Sequence, residues 1–166
     1  MPELQRLRAD HETAVLAFER ENRAYFAGFI SDRGDEYFEQ FAGRLAWLLH
    51  DQESGGGAYR VLVSDDGSVL GRFNLIFTED GVAELGYRVA QAAAGRGVAS
   101  AAVREMCRLA VTDHGLRMLR AATSDANVAS QKVLTNNGFV QAGRADPSNI
   151  GGKQGSWYER DLTSDG

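Results

Sequence analysis

The stretch AELGYRVAQAAAGRGVASAAV, residues 83–103, passes from an apolar strand-like run to a helix-like one, with small residues packed between them. From 92 to 103 it holds two glycines and six alanines. Small residues let another group approach the backbone closely, and the start of a helix leaves several N–H groups without partners. A tight strand-to-helix turn built from good helix formers would account for this composition. So would a cradle for a phosphorylated ligand, because those N–H groups and the positive end of the helix dipole favour an anion at one place.

Outward from this turn the chain is strand-rich on both sides. AYRVLVS (58–64), DDG (65–67) and SVLGRFNLIF (68–77) read as two strands around an Asp-Gly turn, and TEDG (78–81) turns into the strand that precedes the glycines. Three antiparallel strands are expected in order. After them comes strand, helix, strand, helix: VAELGYRVA, GRGVASAAVREMCRLAVTDH, GLRMLRAATS and NVASQKVLTNN. Two strands separated by one helix imply a parallel crossover. GFVQAGRA and GSWYERDL read as a closing pair of strands joined by a Gly-rich connection. Upstream of the strands, residues 9–26 and 34–52 carry apolar residues at helical spacing, including Val15, Phe18, Tyr37, Phe41, Leu45 and Leu48.

The chain of 166 residues suits one domain over 1–166, with 43% apolar and 25% charged residues as in soluble globular proteins. Its net charge of −5 and lack of a Lys/Arg cluster argue against nucleic acid and fit a cationic substrate better. No run approaches the roughly 18 apolar residues of a membrane span, and no signal peptide opens the chain, so a cytoplasmic location without membrane attachment is expected. Cys107, the one cysteine, sits among apolar residues at helical spacing and reads as a buried structural thiol. His11, His50 and His114 form no pair with ligand spacing, so surface or packing roles and no metal site are expected.

GRGVAS places Ser100 where the dinucleotide fingerprint has its third glycine, and the Lys-Ser/Thr of a Walker loop is missing. Instead, the stretch resembles the acetyl-CoA signature of the GNAT N-acetyltransferase superfamily, in which a strand leads into an Arg/Gln-x-x-Gly-x-Gly/Ala turn. In register the six positions are Ala94, Gly95, Arg96, Gly97, Val98 and Ala99; Ala94 replaces the usual Arg or Gln. SDANVASQKVLTNNGFVQAG (124–143) is similar to the superfamily's Asn-x-x-Ser/Ala segment ending in Gly-Phe, particularly in its Rim-type branch of ribosomal-protein N-terminal acetyltransferases. FERENRAYFAGFISDRGDEYF (18–38) also resembles that branch.

The resemblance implies an α/β (α+β) GNAT fold. Its mixed, mostly antiparallel sheet of six to seven strands would be flanked by about four helices and splayed between strands four and five, with acetyl-CoA as co-substrate in the opening. It implies that Tyr87, Arg88, Val89, Ala94, Gly95, Arg96, Gly97, Val98, Ala99, Ser100, Asn127 and Ser130 hold the cofactor. Acetyl transfer needs a base for the amine and a proton for the departing thiolate; proximity alone can supply an effective molarity of about 10⁵ M or more.

By family position Glu84 is the candidate base, its alternative being a surface glutamate paired with Arg72 across the hairpin. Many family members carry a tyrosine acid where this chain has Leu134, and the Rim-type branch offers a serine at Ser130, which could equally pack on its helix. Tyr158 is a third candidate. Asn127 would contact the pantetheine arm or cap its helix. For the acceptor, the first two helices and the loop 147–159 suggest Phe26, Phe29, Tyr37 and Trp157 as cleft residues, with Asp32, Asp35 or Glu36 attracting a cation. The expected acceptor is a protein N-terminus or a small-molecule amine, taken by a monomer or homodimer. A catalytically degenerate acyl-CoA-binding module is the alternative that Ala94 and Leu134 leave open.

Overall fold

The structure, a computed structural model, describes residues 1–150 and 152–164, without the side chain of Ser164. Gly151, in the loop expected to grip the acceptor, lies outside the described residues, as do 165 and 166. Among the described residues seven strands form one sheet: β1 (Glu3–Arg6), β2 (Gly57–Val63), β3 (Val69–Glu79), β4 (Val82–Val89), β5 (Met118–Ser124), β6 (Val140–Ala145) and β7 (Gly155–Asp161). Their order is β1-β2-β3-β4-β5-β7-β6. Every neighbouring pair is antiparallel except β4 and β5. The expected closing pair is present, but β7 inserts between β5 and β6 rather than adding at the edge.

The parallel contact is short. It joins Val82 to Met118, Ala83 to Leu119 and Glu84 to Arg120, and no pairing follows. Beyond Glu84 the β4 backbone keeps β3 on one side and has no strand on the other, which opens the sheet between its fourth and fifth strands.

Among the described residues six α-helices flank the sheet: α1 (Glu12–Glu21), α2 (Arg23–Ala27), α3 (Asp35–Glu39), α4 (Phe41–Glu53), α5 (Val98–Thr112) and α6 (Val128–Asn136). Each of the two expected N-terminal helical stretches is thus broken once, at Asn22 and at Gln40. At the first break the Asn22 amide donates back to the Phe18 carbonyl at 2.9 Å, offering the backbone an alternative to continuing the helix. Its Oδ1 accepts the Gln91 N–H at 2.9 Å, which ties the helix junction to the turn after β4.

Strand alternation divides the interior into two cores. Phe73, Leu75, Ala83 and Leu85 point to one face and pack against Val103, Met106, Cys107 and Ala110 of α5 and Leu134 of α6. The α5 residues recur at helical spacing, so one stripe of that helix is covered by the sheet. On the other face Tyr59, Val61 and Val69 meet Val15, Phe18, Phe26, Tyr37, Phe41 and Leu45. His11 is buried and closes its own turn, accepting the Arg8 N–H at 2.9 Å. No helix among the described residues is long and apolar enough to cross a membrane.

Candidate active site

A cavity of about 380 Å³ lies where β4 loses β5. Tyr25, Phe26, Phe29 and Ile30 form one wall, and Asn127, Ala129, Ser130, Lys132 and Val133 of the α6 region form another. Tyr87, Arg88 and Val89 line it from β4, and Ala93, Ala94, Gly95, Gly97, Val98, Ala99 and Ser100 floor it. Every residue expected to hold the cofactor borders this space except Arg96.

The glycines serve backbone geometry. Gly95 and Gly97 have φ of 76° and 73°, a region that L side chains rarely adopt, and nothing lies within 4 Å of where their Cβ atoms would be. Gly97 is the N-cap of α5 and offers no side chain to that helix. The first-turn N–H groups of Val98, Ala99 and Ser100 therefore have no acceptor from within the helix and face a cavity lined by their own residues. A pyrophosphate fits that arrangement, since Cβ atoms would take the space and no carboxylate lines the cavity.

Inside the cavity the Tyr87 hydroxyl and Ser130 Oγ are 2.9 Å apart. Asn127 fixes the second of these residues: its Oδ1 accepts the Ser130 N–H at 3.1 Å and caps α6. Burial pushes the Tyr87 phenol up to about 12, with the Ser130 hydrogen bond pulling weakly the other way. Tyr87 therefore keeps its proton throughout the neutral range. Leu134 of α6, where a tyrosine was a family expectation, is fully buried against the sheet.

Glu84 is the last β4 residue paired to β5 and is half-buried. It does not line the cavity. It has no ion pair among the described residues, and the alternative pairing with Arg72 is absent, because Glu84 lies opposite Ile76 while Arg72 lies opposite Arg88. Arg72 instead donates from Nη1 to Glu19 at 2.7 Å and to the Tyr37 hydroxyl at 2.9 Å.

The expected acceptor residues scatter. Phe29 lines the cavity; Tyr37 is buried and borders a second cavity of about 220 Å³ beneath α4. Asp32 holds Arg23 bidentately at 2.9 and 2.7 Å, and Asp35 takes the same guanidinium at 2.9 Å, so neither carboxylate faces either of these cavities. Trp157 stacks under Arg120, whose guanidinium carbon lies 4.2 Å from the ring centroid, and Arg120 also reaches Glu159 at 2.9 Å. Tyr158 is buried in the α5-side core. Among the described residues no group of three His, Cys, Asp or Glu side chains is placed to hold a metal. A larger groove, about 680 Å³, runs past Asn137, Val140, Gln141 and Arg160 and contains none of the turn residues.

The acetyltransferase (GNAT) domain family matches residues 3–140. The chain belongs to the GNAT acetyltransferase family. Over 100 residues it is 31% identical to the uncharacterized N-acetyltransferase p20 of Bacillus licheniformis, a match covering 58% of this chain and 56% of that relative, so it spans little more than half the relative's length. The ribosomal-protein-S5-alanine acetyltransferase of Vibrio fischeri superposes with a TM-score of 0.88 at 20% identity, over 97% of this chain and 93% of the other. The spermidine N-acetyltransferase of Vibrio cholerae, in complex with CoA and spermine, superposes with a TM-score of 0.81 at 16% identity, over 98% and 96%. At such identities these two likenesses establish the GNAT fold and leave the acceptor to the site itself.

Proposed function

We propose that this GNAT protein transfers the acetyl group of acetyl-CoA to a primary amine, with a protein N-terminal α-amine as the first acceptor class and a small-molecule amine as the second. The observation that carries this reading is the cavity at the β4–β5 opening, floored by unpartnered helix N–H groups and holding the Tyr87–Ser130 hydroxyl pair. The names of the structural neighbours, which specify a ribosomal protein and spermidine, support an amine as the acceptor.

Bound acetyl-CoA supplies a thioester whose carbonyl accepts the amine nitrogen as the C–S bond breaks. The chain's residues then divide the remaining work. The N–H groups of the Gly95–Ser100 turn hold the pyrophosphate, and Asn127 keeps α6 and Ser130 in place. Tyr87, protonated at neutral pH, donates through or beside Ser130 to the departing thiolate. Glu84, across the end of the parallel ladder, takes the proton that the amine loses, directly or through water. Leu134 and Ala94 favour the second reading, an acyl-CoA-binding module without turnover, because one position for an acid and one for a cofactor side chain are filled by apolar residues.

Thiol release measured with an amine panel separates the two. Amine-dependent release at steady state is expected; tight CoA binding with no amine-dependent release overturns transfer in favour of the module. Glu84→Gln should lower the rate most at neutral pH and recover toward the parent rate as alkali frees the amine, and a flat ratio across pH removes Glu84 from the role of base.

A further inference from the structure

On the face from which an acceptor would approach, one cavity is lined by arginines and, among the described residues, by no carboxylate. On β3 and β4 the residues of this face are paired as Arg72 with Arg88, Asn74 with Gly86, and Ile76 with Glu84. The 220 Å³ cavity over this face has Arg72 and Asn74 as its floor, Tyr37 and Arg33 at one end, and Phe41, Arg44, Leu45, Trp47 and Leu48 of α4 as its wall. Trp47 is 61% exposed and Ile76 48%, so an apolar rim continues from the cavity toward Glu84.

Charge around this cavity is unbalanced: Arg33, Arg44 and Arg72 line it, while Arg88 and Glu19 lie beside it. Arg33, Arg72 and Arg88 all converge on one carboxylate, Glu19, at 3.1, 2.7 and 3.3 Å. The side chain of Glu19 is 1% exposed and serves all three. Arg44 adds a fourth guanidinium, 5.2 Å from the Tyr37 ring, and makes no ion pair among the described residues. The nearby carboxylates of Asp32 and Asp35 are spent on Arg23. The Asn74 amide makes no hydrogen bond among the described residues and borders the same space.

We propose that this cavity binds a carboxylate carried by the acceptor amine, so that the substrate class is an acidic amine: an N-terminus followed by Asp or Glu, or a free acidic amino acid. This rests on the acetyl-transfer reading and deepens it. Asn74 is the direct antiparallel partner of Gly86, about 5 Å away at Cα, at the place where β4 has lost β5 and the transfer would occur. A carboxylate on Arg44, Asn74 and the Arg33 and Arg72 guanidiniums then lies within about two residues' reach of an amine directed at Glu84. Guanidinium forks suit carboxylates geometrically, and partial burial makes each contact stronger than it would be in water. A polycation meets like charge here instead, which costs affinity.

The test compares a peptide beginning Ser-Asp-Asp with one beginning Ser-Asn-Asn, both with amidated C-termini, together with free aspartate and spermidine, on the parent protein and on Arg44→Glu. Arg44 is exposed with only a ring contact, so the variant should fold; Arg44→Ala is the milder control. At least a tenfold preference in kcat/KM for the acidic peptide, about 1.4 kcal/mol, is expected, and Arg44→Glu should abolish or reverse it. Turnover of aspartate at the peptide's efficiency assigns the free amino acid, and turnover of the peptide alone assigns the protein N-terminus. Equal use of both peptides, unaltered by Arg44→Glu, overturns the acidic-amine proposal while leaving acetyl transfer intact. Calorimetry with the N-acetylated acidic peptide covers the remaining case. If no amine turns over yet this peptide binds the parent protein and not Arg44→Glu, transfer falls and the anion site stands; if it binds neither, both fall.

Discussion

The two faces of the sheet are built on different physical terms. Toward α5 and α6, Leu85, Phe73, Met106 and Leu119 close an apolar core, and the buried polar groups there, such as Asn137 and Thr123, are uncharged. Toward α1–α4, three residues along β4 from Leu85, Arg88 joins Glu19, Arg33 and Arg72 in an ionic cluster set among Phe26, Tyr37 and Phe41. Glu19 and Arg72 are the charged residues buried among those described, and both lie on this face. The first face is a scaffold held by area removed from water, about 1.5–3 kcal/mol for each large side chain. The second accepts a desolvation cost that well-packed apolar residues would avoid, which makes sense where charge has to be presented to a ligand.

The contrast breaks most readily at Glu19. Burial pushes its carboxyl up, but Arg33, Arg88 and Arg72 together outweigh burial and hold it below the usual carboxylate range. Glu19→Ala leaves three guanidiniums facing one another, and a loss of about 3–5 kcal/mol in unfolding free energy is expected from urea titration. A loss under about 1 kcal/mol would show that the cluster is solvated and the two faces alike. The sign of the pH dependence follows from the depressed pKa. The stabilisation is complete above the ordinary glutamate range and is lost as pH falls through the lowered value, so Glu19→Ala should also flatten the acid limb of the stability curve.

On the scaffold side the comparison sharpens at Gly97→Val. A β-branched residue at φ 73° is strained by roughly 1–2 kcal/mol, so the variant should lose stability as well as ligand affinity. Calorimetric titration with CoA should show at least a tenfold loss, about 1.4 kcal/mol. Unchanged affinity would move the pyrophosphate away from this turn. The smallest effect is expected at the hydroxyl pair: Tyr87→Phe and Ser130→Ala should each lower kcat by up to about tenfold, cost less CoA affinity than Gly97→Val and show no alkaline recovery. Because Tyr87 is held up to about 12, the parent protein should show no loss of its proton donor between pH 8 and 10. An alkaline decline over that range that disappears in Tyr87→Phe would show an ordinary, solvated phenol.

Much of this arrangement could be read along the chain because its causes are local. The Asp-Gly hairpin and the glycine turn each depend on residues within a few positions of one another, and the crossover through α5 follows from the order strand, helix, strand. β1 escaped notice because ELQR carries one apolar residue in four and takes its strand form from pairing with β2 across more than fifty residues. The break at Asn22 went unread for a similar reason: the bond that exploits it reaches Gln91. Glu84 was readable as the strand carboxylate before the turn, yet its lack of an arginine partner was not, since cross-strand register decides which side chains face each other.

The amino-acid sequence by itself determined the succession of strands and helices from β2 to β7 and the glycine turn before α5, because alternation, helical spacing and positive-φ glycines are short-range constraints that hold whatever surrounds them. It also carries the net charge of −5, which by itself fits a cationic acceptor better. Only the tertiary structure decided where that charge goes. Folding pairs Asp32 and Asp35 with Arg23, gathers arginines from positions 33, 72 and 88 around Glu19, and leaves Arg44 facing the cavity without a carboxylate. Coulomb energy falls with distance in space and with solvent exposure, neither of which the order of residues contains, so a chain acidic on average lines this cavity with arginines.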